Sequence, residues 1–287
     1  MKDEEYKHIP YERYNSNYES ATVSVPIFEG IPYQYSDNPM DELSNTDRVI
    51  IRQQAQFLEQ IIGCESPNRY YVFSDTQQGM KLLFKCKEFS TCFMRNCCPA
   101  SSREFKMDIK HIKNRNYFNE DFSNPFVQVN RPFKCSCFCC CRPEMFINQG
   151  YNTLGRIIHQ FTCCDPKFYV YNNVGVKFII EADCCQCGLV CSSNICGKLS
   201  QAVFNIHNVN DLNSICGNII KRGAKGGDEI LTNADTYDIL FPKNNITPQE
   251  KMVLIVAGLM IDYQYFEQSP RDKQQRPLIH IGGYSNI

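Results

Sequence analysis

The chain has 287 residues, 43% of them hydrophobic and 12% aromatic, enough to bury one large core or two modest ones and too apolar for a disordered chain. Lys plus Arg number 30 against 31 Asp plus Glu, and this formal net charge of -1 predicts neither a nucleic-acid partner nor an acidic tail. The charged start, Met1 to Glu5, lacks the features of a signal or transit peptide, so a cytosolic chain is expected, with its 18 cysteines kept as thiols.

Residues 1–40 carry Tyr6, Tyr11, Tyr14, Tyr18, Tyr33 and Tyr35 among Pro, Ser, Asn and acidic residues, without periodicity, and read as a mobile arm. From Asp47 to Ile62 the residues Ile51, Ala55, Leu58 and Ile62 fall at helical spacing, with Asn45 or Thr46 as N-cap and Gly63 as stop, which predicts an amphipathic helix. Arg69 to Phe73, a turn ending at Gly79, and Met80 to Lys87 predict a β-hairpin.

The same figure returns from Lys167 to Ile180 around Gly175, and a Cys-rich segment follows each copy, as an internal duplication of about a hundred residues would produce. Further hairpins are predicted at Met145 to Ile158 and Ala202 to Ile220, with Gly155 and Gly217 as equivalent strand starts. So many short strands predict a barrel or sandwich.

One clear helix follows, with Thr247 as N-cap, Pro248 in the first helical position and Glu250 completing a capping box. It runs through Met252 to Ile261 and on to Phe266, apolar on every side, so protein or lipid must surround it. Its apolar run spans roughly 15 Å, and about 22 Å with the extension to Phe266, against about 30 Å for a bilayer core, which favours burial within protein. A closed β-barrel around the helix would bury all its faces and leave no strand edge open. There Asp262 is a helix-end acid with a local partner; in a bilayer it would be an intramembrane acid.

Cys135, Cys137, Cys139, Cys140 and Cys141 fall within seven residues, flanked by Lys134 and Arg142. Tetrahedral zinc uses cysteine pairs two to four residues apart, and adjacent cysteines on extended chain point to opposite faces, so this run suits S-acylation better than metal. Cys184 and Cys187, with Cys191 nearby, offer two or three zinc ligands, while Cys64, Cys86 and Cys216 read as small buried hydrophobes. Neither an N-terminal Gly nor a C-a-a-X box is present for other lipids.

Several fragments in this order resemble the phospholipid scramblase family from about Met40 to Gln268. They are Leu43 to Glu59, Arg95 to Cys98, Arg131 to Cys135, Asn233 to Asp235, Phe241-Pro242, and Ile261 to Glu267. The resemblance implies a mainly β fold, a closed Tubby-like twelve-stranded β-barrel around a hydrophobic C-terminal helix, preceded by the amphipathic helix. The domain then covers 41–268, between the arm at 1–40 and a polar tail at 269–287. It also implies palmitate on Cys135, Cys137, Cys139, Cys140 and Cys141, and calcium at a segment aligned with Asn233, Asp235, Tyr237, Ile239, Phe241 and Asn244.

Calcium prefers several carboxylates with a bidentate acid in the twelfth place. Here Asn233 and Asn244 replace acids, and only Asp235 and Asp238, the latter a possible extra ligand, carry charge, so weak binding is expected. The functional expectation is calcium-responsive movement of phospholipids between leaflets, in both directions and without ATP, since no G-x-x-x-x-G-K-[ST] signature is present. The expected place is the cytoplasmic face of a membrane, the plasma membrane by resemblance, reached by acyl chains or by a single pass of the C-terminal helix.

The alternative is a palmitoylated adaptor that recruits protein partners through the arm, and a third reading is a zinc-stabilised domain. The five histidines lie in unrelated contexts and neither G-x-S-x-G nor H-E-x-x-H occurs, so a translocator rather than an enzyme is expected.

Overall fold

The computed structural model describes residues 38–54, 66–76, 79–112, 124–134, 141–190, 200–223 and 235–267. The expected tail, and the expected arm up to residue 37, lie outside the described residues. Strands β1 (Arg48–Gln53), β2 (Arg69–Thr76), β3 (Gly79–Phe89), β4 (Phe105–His111), β5 (Val127–Arg131) and β6 (Glu144–Gln149) make one half of the sheet. The other half is β7 (Asn152–His159), β8 (Lys167–Tyr171), β9 (Val176–Glu181), β10 (Ala202–Asn208), β11 (Asp211–Lys221) and β12 (Thr236–Leu240).

Each strand pairs antiparallel with its neighbours in sequence, and β12 returns to β1, Arg48 opposite Leu240 and Arg52 opposite Thr236, to close the barrel. Closure satisfies the backbone groups that an open edge would expose. Residues alternate along the strands, so Phe105, Met107 and Ile109 of β4 and Val127 and Val129 of β5 face the core. The hairpins β2–β3 and β8–β9, read above as repeats, lie on opposite sides of the ring.

Gly155 and Gly217 do not start strands as expected but lie within β7 and β11, each beside a β-bulge in which Leu154 and Cys216 are the extra residues. A Cβ on Gly155 would strike the Tyr171 carbonyl oxygen, and one on Gly217 would lie 2.5 Å from that of Leu240. Glycine is required at both by the close approach of a neighbouring strand.

The described residues include the α-helices α1 (Pro39–Ser44), α2 (Cys92–Cys97), α3 (Cys187–Val190) and α4 (Pro248–Ile261), and α4, extended by a π turn at Asp262–Phe266, fills the barrel. The capping box of α4 has both bonds, Glu250 N–H to Thr247 Oγ1 at 3.2 Å and Thr247 N–H to Glu250 Oε2 at 2.8 Å. Every residue from Met252 to Ile261 is buried against strands on all sides. Each large apolar side chain there contributes roughly 1.5–3 kcal/mol of transfer free energy, which offsets the cost of ordering the threaded segment. Among the described residues no helix is long and apolar enough to cross a membrane, and the single pass entertained for the C-terminal helix gives way to its burial in the barrel.

The amphipathic helix expected from Asp47 to Ile62 is corrected: Arg48–Gln53 is strand β1, and residues 55–65 lie outside the described residues. The β-branched run Val49-Ile50-Ile51 decides this, because its two faces are both used. Val49 and Ile51 enter the core around α4, while Ile50 joins Phe73, Met80, Leu82 and Ile112 in a second cluster. Period two fits those three residues, whereas period 3.6 leaves Ile50 without a cover.

The helix that does precede β1 is α1, begun by Asn38 as N-cap, so the domain starts within the span assigned to the arm. Its Leu43 is fully buried in the core. Lys251 of α4 donates from Nζ to the carbonyls of Leu43, Ser44 and Thr46 at 2.9, 3.0 and 2.9 Å, holding the end of α1 over the start of α4.

Candidate functional site

The residues aligned with a calcium segment lie mostly along β12, which separates their side chains by the alternation of a strand. Tyr237 and Ile239 face the core and are fully buried, and Phe241 is buried just beyond them. Asn244 is exposed in the turn before α4, and Asn233 lies outside the described residues. The structure therefore does not bring the Tyr237, Ile239 and Asn244 side chains together.

Asp238 faces outward into a ladder of charge across four strands. Its carboxylate takes Arg222 in bidentate fashion, at 2.6 and 2.8 Å, and Arg48 at 2.9 Å, while Arg48 also reaches Asp75 at 2.9 Å. Its oxygens are thus already matched by two guanidinium groups. Asp235 lies 3.1 Å from Lys221 Nζ, itself 5.1 Å over the Phe266 ring.

Four of the five expected acylation residues, Cys135, Cys137, Cys139 and Cys140, lie outside the described residues; the fifth, Cys141, is exposed. The cations expected to flank a basic loop are engaged by the protein. Lys134 Nζ is 2.9 Å from Glu144, and Arg142 donates to the carbonyls of His159 and Gln160 at 3.2 and 3.0 Å. Arg142 also donates to His159 Nδ1 at 3.1 Å, which makes that nitrogen an acceptor and leaves Nε2–H to donate to Tyr265 Oη at 2.7 Å. Burial, helped by Arg142 and Arg131, lowers the His159 pKa to about 4 and keeps the ring neutral.

At the C-terminal end of α4 the core becomes polar. Asp262, fully buried, accepts from Tyr70 Oη and Tyr237 Oη, each at 2.6 Å, so the expected local partner is replaced by two phenols from distant strands. Burial first, then Asp235, pushes its carboxyl up to about 7, against the opposite pull of the two phenols and Lys221. Desolvation raises both phenols well above the ordinary tyrosine range.

Beside it Glu88, also fully buried, accepts from Tyr263 Oη at 2.8 Å, Ser90 Oγ at 2.5 Å and Asn68 N–H at 3.0 Å. Arg131 places its guanidinium 5.4 Å from the Phe105 ring and 5.5 Å from that of Tyr263, and donates to the Ser101 carbonyl. This layer closes the barrel at the helix end. Tyr70 and Glu88 were not singled out in the sequence; the legible signal was Tyr70 two residues before Val72, an inward place where a phenol must find a partner.

In the β9–β10 connection the grouping differs from the Cys184 and Cys187 pair expected for zinc. Asp183, Cys184 and Cys185 have ligand atoms within 4.8 Å of one another, and Cys191 lies outside the described residues. The Asp165 carboxylate is the main reason the Cys184 thiol is pushed up to about 12, so it holds its proton. Cys86 is buried as expected and Cys216 half-buried, while Cys64 lies outside the described residues.

Residues 28–268 match the family model Scramblase. The chain is 27% identical over 239 residues to phospholipid scramblase 1 of Rattus norvegicus, covering 82% of this chain and 64% of that protein. It is 27% identical over 256 residues to phospholipid scramblase 1 of Homo sapiens, covering 86% and 73%, and 26% identical over 267 residues to phospholipid scramblase 2 of Homo sapiens, covering 87% and 82%. The match thus spans less than two thirds of the rat protein's length. No solved structure matches the chain.

Proposed function

The chain belongs to the scramblase family, and on that premise we propose that it moves phospholipids between the two leaflets of a membrane, in both directions and without ATP. The observation that carries this reading is the family match, which takes in all twelve strands and the filling helix. Membrane phospholipids are its partners in this reading. Palmitate on Cys135, Cys137, Cys139, Cys140 and Cys141 holds the domain on the cytoplasmic face of the plasma membrane, several chains making a firm anchor where one is marginal.

The calcium response belongs to the same reading and rests on Asp235, the more exposed of the two carboxylates, whose side chain is 23% accessible against 8% for Asp238. Calcium there competes with the Lys221 ammonium at 3.1 Å, which accounts for the weak affinity expected from so few acids. Lipids do not pass along the barrel axis in this mechanism, because α4 fills it with apolar side chains and offers a headgroup no polar partner.

That filled interior favours a second reading, a membrane-anchored adaptor whose Tyr-rich residues 1–40 recruit protein partners. Purified protein in liposomes carrying a fluorescent lipid, with outer-leaflet quenching followed with and without calcium, separates the two. Quenching beyond the outer-leaflet fraction supports transport; quenching confined to that fraction at saturating calcium leaves the adaptor.

A further inference from the structure

In a ring of antiparallel neighbours, the connections after odd-numbered strands all emerge at one end and those after even-numbered strands at the other. Among the described residues, the exposed free cysteines are Cys97, Cys141, Cys163, Cys164, Cys185 and Cys187. They occupy the β3–β4, β5–β6, β7–β8 and β9–β10 connections, so all six lie at one end. The connections of the opposite end contain no cysteine at all in the sequence.

The same end carries exposed apolar side chains, with Phe93 69% accessible, Phe161 55%, Phe133 49% and Val190 68%. Hydrogen bonds join its connections into a rim. Cys184 N–H donates to Asp165 at 3.0 Å, Arg142 reaches Gln160, and Lys134 N–H reaches the Ser102 carbonyl. Gln264, in the π turn, donates to the Ser101 carbonyl at 3.0 Å and ties the filling helix to the same rim.

We propose that this end of the barrel lies against a lipid bilayer, and that its thiols outside the 135–141 run, Cys163 and Cys164 foremost, carry fatty acyl groups of their own. The proposal rests on the membrane reading above and adds an orientation and a second set of attachment points. The thiols distinguish this rim, since Tyr151 and Val174 are exposed at the other end; interleaved with aromatic rings they suit a bilayer, the rings at the headgroup level and the thiols as acyl carriers. Connections from β3–β4 to β9–β10 span more than half the ring, so anchors spread along them stand the barrel axis upright on the membrane.

The chemistry is thioester exchange. A cysteine loses its proton and its sulfur attacks the carbonyl of a fatty acyl thioester donor. The new acyl–sulfur bond forms as the donor's bond breaks, and the donor leaves as a thiol that takes up the proton. Cys163 and Cys164 are exposed and accessible to the donor, whereas Cys184 is part-buried with its backbone N–H bonded to Asp165.

The absence of tryptophan makes the orientation directly measurable. Full-length Phe93→Trp, Phe161→Trp, Tyr151→Trp and Val174→Trp variants, made in eukaryotic cells so that thioesters are kept, are bound to phosphatidylcholine and phosphatidylserine vesicles with brominated acyl chains. The expected result is a blue shift and loss of emission at residues 93 and 161, with residues 151 and 174, on the opposite end, unchanged. Quenching at 151 and 174, or equal quenching at both ends, overturns the orientation.

For the acyl groups, a chain with Cys135, Cys137, Cys139, Cys140 and Cys141 replaced by Ala should keep hydroxylamine-labile acyl groups and lose most of them on further Cys163→Ser and Cys164→Ser replacement. No residual thioester in the five-site variant overturns the second set of attachment points. Lipid movement measured in matched unbrominated vesicles separates this proposal from the transport reading. Movement with the wrong quenching pattern removes the orientation alone, whereas the expected pattern without movement removes transport alone.

Discussion

The hydroxyl of Tyr237, on the last strand, donates a 2.6 Å hydrogen bond to the carboxylate of Asp262 at the end of the helix that fills the barrel. Tyr70 supplies the second bond from the opposite side of the barrel seam, through β1, so one acid joins the helix to both β2 and β12. A residue aligned with a surface calcium ligand is thus committed to the core.

A pH dependence follows from the buried carboxyl. Its folded pKa of about 7 exceeds the ordinary 3.8, so the folded chain keeps a proton that the unfolded chain releases. The stability contributed by this group is full below about pH 4 and is lost as pH rises through about 7. Asp262→Asn should remove that decline, and urea unfolding of both proteins at pH 4.5 and 7.5 checks it: the variant's advantage should grow with pH. An advantage that stays constant or shrinks contradicts the assignment.

Two glycines should respond differently to alanine. At Gly217 a methyl meets the Leu240 carbonyl oxygen at 2.5 Å, backbone that cannot yield, and a loss of about 1–3 kcal/mol or more is expected. At Gly258 it meets the Ile239 and Ile51 Cδ1 atoms at 3.1 and 3.2 Å, side-chain ends that can shift. The gain in helix propensity of about 1 kcal/mol then offsets most of the crowding. Denaturant midpoints should fall clearly for Gly217→Ala and little for Gly258→Ala.

Lys251→Met keeps the volume but removes the ammonium that serves the carbonyls of Leu43, Ser44 and Thr46. Leaving these without their donor should cost at least about 2 kcal/mol. The loss should appear as a lower melting temperature and earlier proteolysis around residues 38–47. Lys251→Arg, which retains a cation, should recover part of it.

The two acids on either side of Tyr237 should separate in calorimetric calcium titrations. Asp235→Asn is expected to abolish the calcium response. Asp238→Asn should leave that response in place while costing about 1–3 kcal/mol of stability, because Arg48 and Arg222 lose their shared carboxylate. Equal loss of calcium binding in both variants would show that Asp238 is a ligand after all.

Replacing Cys135, Cys137, Cys139, Cys140 and Cys141 together by Ala should shift the protein from the membrane toward the soluble fraction of cells, in proportion to the acyl chains removed. Since α4 is enclosed by strands, it offers no alternative anchor. Unchanged partition would place the attachment elsewhere.

The capped helix and the hairpins were legible because their signals are local. Thr247, Pro248 and Glu250 specify a helix start by bonds among themselves, and apolar runs broken at Gly79, Gly150 and Asn210 mark strands and turns. The strand at Arg48–Gln53 was misread because Ile51 falls in helical register with Ala55, Leu58 and Ile62, which carried the helical reading back over it. Only the partners of β1, which are β2 and β12, show that the Val49 to Ile51 run belongs in a sheet.

By itself the sequence determined the mainly β class, the wholly apolar helix that needs enclosure, and the concentration of thiols, since periodicity, capping and composition are properties of neighbours along the chain. Tertiary structure alone decided that Asp262 is met by Tyr70 and Tyr237, that Asp238 is occupied by Arg48 and Arg222, and that every exposed free thiol among the described residues lies at one end of the barrel. Those relationships join residues up to 192 positions apart, and only the closing of the ring brings them within bonding distance.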